Sequence, residues 1–109
     1  MSLKYKIDAL FQAAGSQDTT SQDMKSMITE LKYDPEFIGT GDLRTALQGA
    51  LHIALMSAES ERRLGVIMVI ADTVAADCGR EYVRDVMKNA IVRGTPESII
   101  NKILDEWRN

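Results

Sequence analysis

Apolar residues return along this chain at intervals of three and four between polar stretches, and one run departs from that spacing. Leu64 to Ala76, LGVIMVIADTVAA, is interrupted only by Asp72 and Thr73. Wound as an α-helix it is apolar over nearly its whole circumference, which marks either a membrane span or the centre of a core. A span needs roughly 20 apolar residues, whereas this run has 13 and follows Glu59, Glu61, Arg62 and Arg63. The core reading follows. The β-branched residues of VIMVI would also suit a buried strand, but a parallel sheet needs further runs and only LHIALM competes. The pattern predicts a central helix over about 61–77.

The remaining stripes predict its neighbours. Leu3, Ile7, Leu10, Phe11 and Ala14 share one helix face, with Ser2 as cap and Gly15 as stop. SQDTTSQD is a polar loop, and Thr20 or Ser21 caps a second helix with the stripe Met24, Met27, Ile28 and Leu31. Pro35 ends that helix, because the residue before a proline is pushed out of the α region. Asp34-Pro35-Glu36 suits one further helical turn. A third helix, near Asp42 to Ser57, shows two ridges at i, i+4 spacing: Leu43, Leu47, Leu51, Leu55 and Ala46, Ala50, Ala54, Ala58. Such small-residue ridges admit a close helix crossing.

Capping residues in SAESE separate the third helix from the central one; a single helix over 42–77 is the alternative. A fifth helix, Arg80 to Arg93, turns Val83, Val86, Met87, Ala90 and Ile91 inward and stops at Gly94. Thr95-Pro96-Glu97 opens the last helix by cap, N1 proline and an acid that suits the helix dipole. Its stripe is Ile99, Ile100, Ile103, Leu104 and Trp107. The expected architecture is all-α, a compact bundle of five or six helices in one domain, 1–109.

Composition changes this picture little. Six aromatic residues are few, so aliphatic side chains must fill the core. The formal net charge of −3 argues against nonspecific nucleic-acid binding, which rests on Lys and Arg facing phosphates. That charge is uneven: residues 1–42 hold seven acids and four lysines, residues 78–109 five acids and six Arg or Lys. One cysteine excludes an intramolecular disulfide, and one histidine leaves no Cys–His set for zinc. No metal or cofactor is expected. MSLKYKIDALF places Lys4, Lys6 and Asp8 among its apolar residues, unlike a signal peptide. A reducing cytoplasmic setting without membrane association is the expectation.

Candidate chemistry is sparse. His52, the sole imidazole, falls on the polar side of the third helix with no serine, cysteine or carboxylate locally arranged beside it; it reads as a surface histidine. Asp72 shares a narrow strip with Glu61, Gly65 and Ala76, a slot through which it reaches water or an arginine. Gly65 marks that slot or a close crossing against the alanine ridge. Cys78 is expected at the start of the fifth helix near Arg80, where a helix N-terminus and a cation would favour the thiolate; an inert buried thiol is the plainer reading. Gly39-Thr40-Gly41 lacks the spacing of a phosphate loop. No catalytic motif is present.

Ala90, Gly94 and Ile100 stand at the alanine, glycine and aliphatic positions of the helix-turn-helix, and residues 80–108 resemble that motif as phage repressors carry it. The resemblance covers about 20 residues and implies a DNA-binding regulator with GTPESIINKIL as recognition helix. Asn89 and Arg93 occupy positions the motif keeps apolar, and Thr95 stands where Val or Ile is usual. Glu97, Asp105 and Glu106 also oppose Lys102 and Arg108 on a helix that should meet phosphates. Specific nucleic-acid binding is therefore not expected. The leading expectation is a non-catalytic protein–protein interaction module, self-associating as a homodimer, with a small enzyme or ligand binder third. Its partner-facing residues are expected to be Arg80, Arg84 and Lys88, at i, i+4 spacing, with Ile99, Ile103 and Trp107. Local pairing of Glu81 with Arg84 and Asp85 with Lys88, and burial of Trp107 in the core, is the competing reading.

Overall fold

A computed structural model describes residues 3–37, 41–58 and 63–107. The fold is all-α, with six helices and no strand among these residues: α1 (Leu3–Gly15), α2 (Ser21–Lys32), α3 (Asp42–Met56), α4 (Leu64–Cys78), α5 (Arg80–Val92) and α6 (Glu97–Glu106). The apolar run is α4. It buries Val66, Ile67, Ile70, Ala71 and Val74 and packs against α2, α3, α5 and α6. Only its Gly65, Asp72, Ala76 and Asp77 positions are exposed. The strip that holds Gly65, Asp72 and Ala76 therefore opens to water as the sequence predicts; Glu61 lies outside the described residues.

Local signals account for most helix ends. Thr20 caps α2 through a reciprocal box: its hydroxyl accepts from Asp23 N–H at 3.1 Å, and Asp23 accepts from Thr20 N–H at 3.2 Å. After α2 the chain makes a turn rather than a helix. The Asp34 carboxylate accepts from Glu36 N–H at 2.9 Å, and Phe37 N–H bonds the Asp34 carbonyl at 3.0 Å, dropping Phe37 into the core at 3% exposure. α3 stops at Met56, where Ser57 N–H still reaches the Ile53 carbonyl at 3.0 Å. The chain is thus broken between α3 and α4, not one helix over 42–77. Gly79 and Gly94 take φ of +94° and +113°, a region that L side chains rarely enter. They set the two short joints, between α4 and α5 and between α5 and α6. Ser2, the expected cap of α1, lies outside the described residues.

α3 is the second axis of the bundle. Its alanine ridge, Ala46, Ala50, Ala54 and Ala58, is buried at 4% exposure or less. The tightest approach is at Gly49, where an added Cβ would lie 2.9 Å from the Phe11 ring; an added Cβ at Gly15 would lie 3.2 Å from Ile53. α1 therefore runs alongside α3 in the same direction, seated on a glycine. Gly65 was expected to mark either its slot or a crossing onto the alanine ridge. It is exposed, and its nearest neighbour is Ser21 of α2 at 3.3 Å from an added Cβ, so the ridge crossing is withdrawn.

Candidate interaction surface

Of the six expected partner-facing residues, three belong to the interior. Ile99, Ile103 and Trp107 are 2%, 0% and 6% exposed, so they fill the core of the folded chain and do not face outward. The reason is geometric. α6 has one strongly apolar face, and its packing turns that face onto α4 and α5. Arg80 and Lys88 are exposed and Arg84 half-buried. The local pairs Glu81–Arg84 and Asp85–Lys88 do not form: among the described residues no ion pair within 4.0 Å engages Arg84 or Lys88.

Trp107 organises one side of the molecule. Its indole N–H donates to Asp72 at 2.8 Å, and Arg80 donates to the Trp107 carbonyl at 3.2 Å with its guanidinium 5.6 Å from the ring centroid. These contacts close the α4–α5–α6 corner. A groove of about 450 Å³ lies over them, lined by Met68, Asp72, Ala75, Ala76, Arg80, Glu106 and Trp107. Its size is that of a ligand pocket, yet the indole and the guanidinium that could orient a ligand are already engaged by its own walls. Asp72 is exposed, the first of its two expected alternatives, water or an arginine, and it also accepts from a tryptophan.

The other candidates resolve as packing. Cys78 is the last residue of α4, not the first of α5; it is half-buried and accepts from Gln48 Nε2 at 3.4 Å. Thr95 does not cap α6. Its hydroxyl is buried and donates to the Leu55 carbonyl of α3 at 2.9 Å, while Pro96 occupies the cap position. His52 is exposed. Together with Met56 of α3, Val86, Asn89 and Ala90 of α5 and Arg93 just beyond it, it lines a small notch of about 50 Å³. Met56 is 72% exposed, and Val92, one turn beyond Asn89, is 85% exposed. No group of three or more His, Cys, Asp or Glu able to hold a metal occurs among the described residues. No described helix is long and apolar enough to cross a membrane.

Sequence reasoning passed over Arg63. Its side chain is buried at 1% exposure and donates from both terminal nitrogens to the Ala14 and Ser16 carbonyls, while Nε has no partner. Helix C-termini leave carbonyls unpaired and carry partial negative charge, and α1 has no basic residue in its own last turn. Arg63 supplies that cation from 47 to 49 residues away. Burial pulls its pKa below the ordinary arginine value. The available signal was its position, the last charge before an apolar helix.

Three ion pairs among the described residues tie distant segments. Lys6 of α1 meets Asp34 at 2.5 Å and Glu36 at 3.5 Å, and Arg44 of α3 grips Asp77 of α4 through two bonds of 2.8 and 3.0 Å. The hydrogen bond from Lys6 holds the Asp34 carboxyl below its usual pKa, and that from Arg44 does the same for Asp77. A depressed folded pKa gives stability that is fully present above the unfolded value, near pH 4, and lost as pH falls through the folded value. Thermal melts should therefore be flat with respect to these pairs from neutrality down to about pH 5 and fall below about pH 4. In the double variant Asp34→Asn, Asp77→Asn that acid-side decline should be shallower; an unchanged decline would exclude these carboxylates as its source.

Compared with protein-family models, curated proteins and solved structures, the chain matches none.

Proposed function

We propose that this chain is a non-catalytic helical interaction module whose partner is a protein. One observation carries the reading: Met56, 72% exposed, stands at a notch between α3 and α5, so a large apolar side chain lies open beside a concavity. An apolar side chain left open at a concavity suits contact with a partner. The residues with chemical potential support the same reading, since Asp72, Cys78 and Thr95 are each engaged in bonds between helices.

A helix-turn-helix regulator stands second. Ala90 is buried, Gly94 has positive φ and Ile100 is fully buried, the roles the motif gives those positions. Against it, the outward positions of α6 include Glu97, Asp105 and Glu106 with one lysine, Lys102, a poor face for phosphates.

Affinity capture on the purified full chain, followed by light scattering of the recovered complex, tests both. The expected result is a complex of defined stoichiometry with a protein. Scattering of the chain alone reports whether its mass exceeds the 12.1 kDa of one copy, the outcome for self-association. Recovery of nucleic acid alone would move the helix-turn-helix reading to first place, and recovery of nothing by a chain that stays monomeric would retire the module.

A further inference from the structure

We draw no further inference here: the strongest candidate, the groove of about 450 Å³ over the α4–α5–α6 corner, carries none because its indole and guanidinium are held by its own walls, its carboxylates Asp72 and Glu106 stand beside Arg80, and nothing in the structure shows what covers it.

Discussion

Replacing Trp107 by alanine is expected to destabilise the fold by about 3–5 kcal/mol, the range for emptying a large buried aromatic site. Total stability for a domain of this kind is only about 5–15 kcal/mol, so the variant should lie close to the limit of folding. The cost arises because the side chain is 6% exposed, joins α6 to α4 through Asp72 and carries Arg80 on its face. Trp107→Phe separates the contributions. It keeps much of the packing and loses the indole N–H, whose acceptor Asp72 is exposed and returns to water. That variant should lose only about 0.5–1.5 kcal/mol for the hydrogen bond, plus a smaller packing deficit. Urea denaturation followed by far-UV circular dichroism, which does not depend on the indole, measures both. If Trp107→Ala unfolds at the urea midpoint of the parent, the residue is a surface element and the buried position assigned to it is wrong.

Arg63→Ala should be nearly as damaging, at about 2–5 kcal/mol, the range for truncating a long buried side chain. The loss has a particular location. Without the guanidinium, the Ala14 and Ser16 carbonyls lose a shared donor and the C-terminal end of α1 loses its only described cation. Hydrogen exchange should therefore accelerate first in the last turn of α1. Arg63→Met is the informative companion. It restores apolar volume and removes a buried charge whose desolvation is costly, so it should recover part of the stability without restoring protection at the end of α1. Uniform acceleration across all six helices in Arg63→Ala would show that the residue acts through general packing, not as a clamp on one helix end.

How far the chain could be read without coordinates depended on the range of the forces involved. Helical period, caps and stops act within one or two turns, and they are written in adjacent residues. The stripe Met24, Ile28, Leu31, the Thr20 cap and the stop at Gly94 are all of this kind. So is the apolar circumference of α4, which makes it a centre wherever its neighbours come from. The open strip through Gly65, Asp72 and Ala76 was legible for the same reason, since one helical projection contains it.

Contacts between helices were not legible, because nothing local specifies which groups meet across tens of residues. Thr95 has the sequence context of an N-cap, yet its hydroxyl answers a carbonyl 40 residues earlier at the end of α3. Arg63 reads as one more charge before a helix and is instead the cation for α1. Trp107 has the composition of an interface hot spot, but the packing of α6 on α4 and α5 places it against Arg80 and Asp72. By itself the sequence determined an all-α bundle of five or six helices, their apolar faces and a core centred on α4, since those follow from side-chain period and backbone preference. Only the tertiary structure decided which polar groups are spent inside the molecule. It left Lys88 and Val92 exposed on α5, Arg93 just beyond it and Met56 exposed at the end of α3, because the packing of α6 on α4 and α5 turns the isoleucines and the tryptophan inward.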